Sequence, residues 1–281
     1  MTAYPGDDRL TLPTVTLCAV ASVNVAATLR ALEACVDRIA FADCKLFTDA
    51  LVRPRHPEIS VVSIDHVGSS AAYSHFLLSQ LVGHVETSHA LVAQWDGHVL
   101  DAVRWRDEFL DYDYIGASWP QFDDGHDVGN GGFSLRSRRL MQACRRQGFS
   151  GCHPEDVAIG RINRRWLEGQ GLRFAPRELA DLFAAERAGD LQASFGYHGV
   201  WNMPQALGAE TFWQVYHELD DRGTVWTDFR DLLRALLRGS QPIRRGGRLA
   251  FDRAAHSIRR LACRAKRSSA RSSFVRIGAT R

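Results

Sequence analysis

The chain has 281 residues, 45% of them hydrophobic and 24% charged, a globular composition with material for one large core or two small ones. No apolar run approaches the ~20 residues of a membrane-spanning helix. The stretch from Met1 to Leu12 carries Asp7, Asp8 and Arg9 without an apolar centre, so it does not read as a secretory signal. The net charge of +3 hides an asymmetry. Residues 238–281 hold 13 Lys and Arg against one acid, Asp252, and the other 237 residues hold 22 against 31 Asp and Glu. An acidic body carries a basic tail.

Val15 to Val23 is an apolar, β-branched run that fits a buried strand, and Ala26 to Ile39 has helical spacing through Leu29, Leu32, Cys35, Val36 and Ile39. Lys45 to Thr48 and Ile59 to Ile64 read as short strands. Ala71 to Val85 reads as a helix with Phe76, Leu77, Leu81 and Val85 on one face. Ala90 to Ala93 is a buried-strand run leading into Gln94-Trp95-Asp96-Gly97-His98, and Tyr114 to Ala117 is another short strand. Leu135 to Arg146 reads as a helix entered from a glycine-rich turn, and Glu155-Asp156 after Pro154 opens another. Glu210 to Leu237 is aromatic and helix-prone, a C-terminal cap. From Gly239 onward the Ser, Arg and Gly content predicts a tail that is poorly ordered or an amphipathic helix, with Phe251, Ile258 and Leu261 on one face. Strands alternating with helices predict an α/β fold with a mainly parallel sheet between helical layers. The expected division is an N-terminal extension (1–13), one catalytic domain (14–238) and the tail (239–281).

The six cysteines (Cys18, Cys35, Cys44, Cys144, Cys152 and Cys263) form no C-x-x-C pair and several lie in apolar stretches. This predicts reduced, buried thiols in a cytoplasmic protein.

The chemistry-bearing strings come in order. Asp96 follows a buried strand, where a carboxylate suits a divalent cation bridging diphosphate oxygens, Mg²⁺ by preference or Mn²⁺ if an imidazole joins it; Asp-Gly also forms ordinary turns. Phe122 to Asp127 is an acidic loop that could serve a metal or an acceptor but reads foremost as solvated. Gly129-Asn130-Gly131-Gly132-Phe133-Ser134-Leu135-Arg136 offers glycines for close approach of a ligand. In it Asn130 and Ser134 can hydrogen-bond sugar hydroxyls, and Arg136 can meet a phosphate. Of the two carboxylates after Pro154, Glu155 suits a helix N-terminus, and Asp156 could be a general base. His198 lies in Phe195-Gly196-Tyr197-His198-Gly199-Val200-Trp201, whose rings, Trp201 among them, could stack on a sugar or base.

As an ordered set over roughly residues 14 to 205, these strings resemble GT-A-type glycosyltransferases. More closely they resemble a microbial family known as a glycosyltransferase-like domain of unknown function. The Gly-Gly-Phe-Ser-Leu and Glu-Asp-Val-x-x-Gly pair is also similar to segments of inverting β-1,3-galactosyltransferase-like enzymes. The resemblance implies a GT-A-like sheet and transfer of a sugar, with inversion, from a nucleotide-diphosphate sugar to a hydroxyl of a glycan or lipid-linked acceptor. Asp156 would be the base. Asn130, Gly131, Gly132, Phe133, Ser134, Arg136, Glu155 and Trp201 would line the substrate site, and Asp96, His98 and His198 would hold Mn²⁺ or Mg²⁺. His98 stands where the family pattern has a second aspartate. The basic tail adds an anionic membrane surface as an expected partner, at the cytoplasmic face. Nucleic acid is disfavoured by the acidic body and the scarcity of aromatics in the tail. A non-catalytic nucleotide-sugar-binding module and a nucleotidyltransferase are the alternatives, the second lacking a glycine-rich loop after the first strand.

Overall fold

The computed structural model describes residues 9–277, with side chains as far as residue 260. Residues 1–8 of the expected extension, residues 278–281 and the side chains of Leu261 and Cys263 lie outside the described residues. The first half alternates strand and helix as the apolar runs predict: β1 (Leu10–Val20), α1 (Val25–Val36), β2 (Ile39–Thr48), β3 (Ile59–Ser63), α2 (Ser70–Ser79) and β4 (His89–Val92). Then come β5 (Tyr114–Gly116), β6 (Ser134–Ser137), α3 (Arg138–Ala143), α4 (Glu155–Val157), α5 (Arg164–Gly169) and α6 (Arg177–Phe183). Two short strands follow, β7 (Ala184–Ala185) and β8 (Gly196–Tyr197). The chain ends in α7 (Met203–Ala206), α8 (Ala209–Glu218), α9 (Phe229–Arg238) and α10 (Pro242–Ile277).

Six strands form one sheet in the order β3-β2-β1-β4-β6-β5. β1 pairs in parallel with β2 and β4, and β2 with β3; β6 runs antiparallel to both β4 and β5. The protein is thus a mixed α/β fold with a mostly parallel central sheet between helical layers. Strand side chains alternate between faces, and β1 divides accordingly. Val15, Leu17 and Ala19 enter the core shared with α1 and α6, while Cys18 and Val20 pack with Phe76 and Leu77 of α2. The helices from α7 onward build a separate apolar cluster around Phe212, Tyr216, Leu232, Leu236 and Leu249.

Two sequence expectations change. Leu135 to Arg146 is not a single helix: Ser134–Ser137 is a strand whose four residues are all buried, and the helix begins at Arg138, capped by the Ser137 hydroxyl, which accepts from the Leu140 amide at 3.0 Å. A strand clamped between two others must pair on both edges, and that tertiary demand overrides the local helical look of Leu-Arg-Ser-Arg-Arg. The glycine run therefore leads into a sheet and offers no helix N-terminus to an anion. Second, the region after Gly239 is one 36-residue helix whose beginning belongs to the body, since Arg245, Gly246 and Leu249 are buried. The acidic loop is exposed at Asp123 and Asp124, as its solvated reading expects, with Asp124 paired to Arg161 at 2.8 Å and Asp127 to Arg177 at 2.5 Å. The cysteines follow expectation: Cys18, Cys35, Cys44 and Cys144 are free and buried, and burial pushes Cys18 and Cys35 up to about 12.

Candidate functional site

A cavity of about 600 Å³ opens where β1, β3 and β4 end and β6 begins. Carboxyl ends of parallel strands are where open α/β sheets bind ligands. One side is built from Ser22, Asn24, Val67, Ser69 and Tyr73, and the other from Gln94, Asn130, Gly131, Gly132, Glu155, Asp156, Glu186 and His198. No lysine or arginine lines it among the described residues.

The glycine run forms the floor, for a reason opposite to the expected one. A Cβ on Gly132 would stand 2.0 Å from His198 Nε2, one on Gly131 2.0 Å from Glu155 Oε1, and one on Gly129 2.0 Å from the Trp119 ring. The missing side chains make room for three of the protein's own cavity-wall residues. Asn130 between them takes a positive φ of 57°, a conformation asparagine tolerates better than most residues. Its Oδ1 accepts from the Gly132 amide at 3.0 Å.

Asp156 lies on the one-turn helix α4. Its Oδ2 accepts from the Gly131 amide at 3.3 Å and its Oδ1 from the Val157 amide at 2.8 Å. Burial, then the charge of Glu155, holds its carboxyl above the usual range. Glu155, also in the cavity wall, is fixed from behind. Arg136, fully buried on β6, donates to Glu155 Oε1 at 3.1 Å, to the Gly131 carbonyl at 3.3 Å and to Ser134 Oγ at 3.0 Å. The Ser74 hydroxyl donates to Glu155 Oε2 at 3.0 Å. Arg136 is thus an internal counter-ion to Glu155, out of a phosphate's reach.

His198 follows β8 and Glu186 follows β7. The parallel register pairs Ala184 with Gly196 and Ala185 with Tyr197, so the next residue on each strand falls side by side. Glu186 Oε1 meets His198 Nδ1 at 3.2 Å, Gln94 Oε1 meets Nε2 at 3.3 Å, and Asp96 Oδ1 lies 3.6 Å from Nε2. Burial disfavours the imidazolium, but Asp96 and Glu186 outweigh it and raise His198 to about 9. Asn130 Nδ2 also faces Nδ1, at 3.1 Å. The charged ring donates to Glu186 and the neutral ring accepts from Asn130, so the two contacts are alternatives set by protonation.

Of the expected metal ligands, Asp96 and His198 are brought together and His98 is not. Asp96 sits behind His198 in a tight turn closed by the Gln94 and Gly97 amides and carbonyls, and burial raises its carboxyl. His98 is buried with its ring edge-on to Tyr197 at 5.0 Å, and burial lowers it to about 4. Asp96 and Glu186 occupy opposite nitrogens of one imidazole, so the ring stands between the carboxylates. Among the described residues no three His, Cys, Asp or Glu side chains are arranged to hold a metal ion. The donor set expected for Mn²⁺ or Mg²⁺ is not assembled in this arrangement.

Asn130, Gly131, Gly132, Glu155, Asp156 and His198 share the cavity. Phe133 does not: it is fully buried and stacks on Phe183 at 5.2 Å. Ser134 is buried in β6, its hydroxyl turned to the Gly131 carbonyl at 3.2 Å. Trp201 is covered by the Arg187 guanidinium, 3.4 Å over its ring. Sequence reasoning missed Glu186, Gln94 as a side chain, Tyr73 and Trp119. Only Glu186 left a trace, as an acid directly after the apolar Phe183-Ala184-Ala185 stretch.

Fold and site together define a mixed α/β protein with a carboxylate-rich cavity at the carboxyl ends of its parallel strands. More particularly, the chain belongs to the family described as "Protein of unknown function (DUF5672)", whose model matches residues 57–198. That span runs from just before β3 to His198 and includes every cavity residue placed beyond α2 except Asp221. No curated protein matches the chain. Among solved structures, the crystal structure of an active-site mutant of LgtC matches at 15% identity with a TM-score of 0.39, over 75% of this chain and 99% of that one.

Proposed function

We propose that the protein is a glycosyltransferase that moves a sugar from a nucleotide-diphosphate sugar to an acceptor hydroxyl. The observation that carries the reading is that a half-buried carboxylate with a raised pKa, Asp156, and a cationic imidazole, His198, face the same cavity. The motif resemblance to GT-A-type enzymes supports it. In this reading an Asp156 carboxylate oxygen takes the proton of the acceptor hydroxyl as that oxygen bonds to the anomeric carbon. The bond from that carbon to the diphosphate breaks, and the nucleoside diphosphate leaves with the electron pair. His198 and the amides of Gln94 and Asn130 face the departing charge, and attack opposite the leaving group gives inversion. A general base positioned this way contributes ~10²–10⁴-fold.

The test couples binding to turnover. Nucleotide-diphosphate sugars are screened by thermal shift with Mg²⁺, with Mn²⁺ or with EDTA, and hits are assayed for nucleotide release with and without glycan acceptors. Asp156→Asn is expected to bind the same sugar nucleotide and to lose at least ~10²-fold in acceptor-dependent release. Wild-type turnover by a folded Asp156→Asn protein removes the base assignment. Binding without any release makes the protein a binding module.

A further inference from the structure

The outer face of α10 has no use in the cavity chemistry, and the helix as a whole is one-sided in charge. Over its 36 residues, about 54 Å at 1.5 Å per residue, the sequence carries eleven Arg and Lys and a single acid, Asp252. One face is fastened to the body. Leu249 is buried in the helical cluster, and Arg245 pairs with Glu210. Asp252 accepts from the Tyr216 hydroxyl at 2.8 Å, Arg253 lies 4.1 Å over Phe229, and His256 packs on Trp226. Helical geometry puts Ile243, Gly247, Ala250, Phe251, Ala254 and Ile258 on the other side, and all six are exposed. Ile243 is 88% exposed, and Phe251 and Ile258 are each 67% exposed.

We propose that α10 seats the protein on an anionic lipid surface, with Ile243, Phe251 and Ile258 entering the headgroup boundary and the arginines beside them meeting lipid phosphates. Exposed large apolar side chains spaced along one helix face, rimmed by arginine, form the pattern of an interfacial helix. Charge selects the occupant. The one acid is turned inward and engaged, so a second copy of this face would set arginine against arginine. An anionic membrane supplies the missing negative charge, at about 1 kcal/mol per basic residue near the surface. Lying in the plane is the available mode, because no described helix is long and apolar enough to cross a bilayer.

The experiment is co-sedimentation of the full chain with phosphatidylcholine vesicles with and without phosphatidylserine, at low and at about 1 M salt, where screening shortens to about 3 Å. Binding is expected only with phosphatidylserine and to weaken at high salt. The double variant Phe251→Ser/Ile258→Ser is expected to lose about tenfold or more in partitioning, with an unchanged thermal midpoint because both side chains are already exposed. Equal binding to neutral vesicles overturns the proposal, as does an unaffected double variant. So does a chain that ignores vesicles but self-associates, or binds RNA, through this face. The result is independent of turnover, so loss of the enzymatic reading leaves it standing.

Discussion

Replacing Arg136 by methionine perturbs the floor of the cavity at its most deeply buried charge. The guanidinium is 1% exposed and serves three acceptors besides lying 5.6 Å over the Tyr114 ring. Its loss leaves Glu155, itself 5% exposed, with Ser74 as the remaining side-chain donor. Breaking a buried ion pair from one side costs ~3–5 kcal/mol, because the surviving charge stays buried without its partner. That is a large share of the ~5–15 kcal/mol typical of a domain. At ~2–4 °C per kcal/mol it lowers the thermal midpoint by about 6–20 °C. Methionine fills much of the vacated volume, so the loss reports charge more than cavity. The companion variant Arg136→Met/Glu155→Gln removes both charges and is expected to recover most of the loss, as neutral replacements of buried pairs often do. Urea unfolding followed by tryptophan fluorescence gives all four corners of the cycle. A single variant that loses under ~1 kcal/mol, or a double variant as unstable as the sum of the singles, would refute the counter-ion assignment.

Two further outcomes follow from the same geometry. Gly132→Ala places a carbon where His198 Nε2 stands; overpacking is expected to cost ~1–3 kcal/mol. Displacement of the ring by about 1 Å should lower sugar-nucleotide turnover ~10²-fold. Gly169→Ala, where a Cβ meets nothing within 4 Å, is the control, and equal behaviour of the two variants would sink the packing argument. Asp156 also ties stability to pH. Its folded pKa is raised, so the proton's contribution is fully present below the unfolded value, ~3.9, and is lost as pH rises through the folded value. At neutral pH Asp156→Asn should therefore melt at or above wild type, with the gap closing on acidification. A variant that is less stable at pH 7 and gains relative stability in acid contradicts the shift.

The sheet was legible where burial follows composition. From Val15 onward β1 is buried throughout, Ala90 to Val92 of β4 are apolar and buried, and α1 carries a periodic buried face, so there local pattern and final burial agree; β3 was legible from its β-branched residues although only Ile59 of its five is buried. It was illegible at β6, where Ser134, Arg136 and Ser137 are buried polar residues whose partners come from β4, β5, Asp113 and Glu155. No local period announces a strand whose polar atoms are satisfied by distant ones. The site divides the same way. Asp156, Asn130 and His198 could be read as chemistry-bearing residues beside glycines. What the glycines accommodate could not be read, because Trp119, Glu155 and His198 reach them only through the fold. Glu186 depends on a two-residue ladder too short to leave a pattern.

The charge of the cavity wall bears on how a diphosphate could occupy it. Glu155, Asp156, Glu186 and Asp221 line the space with no arginine or lysine among the described wall residues. Arg136 behind the wall is committed to Glu155, and His198 is already flanked by Asp96 and Glu186. A like-charge pair 4 Å apart costs about 4 kcal/mol at an effective dielectric of about 20, so a bare diphosphate entering here meets a penalty that one shared imidazolium cannot offset. Two resolutions are physically distinct: the diphosphate arrives with its own divalent cation, or the carboxylates take up protons as it binds. The first makes sugar-nucleotide binding fall sharply in EDTA at constant pH. The second leaves it indifferent to EDTA but stronger as pH falls, with proton uptake measurable as a buffer-dependent heat. The metal arms of the binding screen read that difference directly.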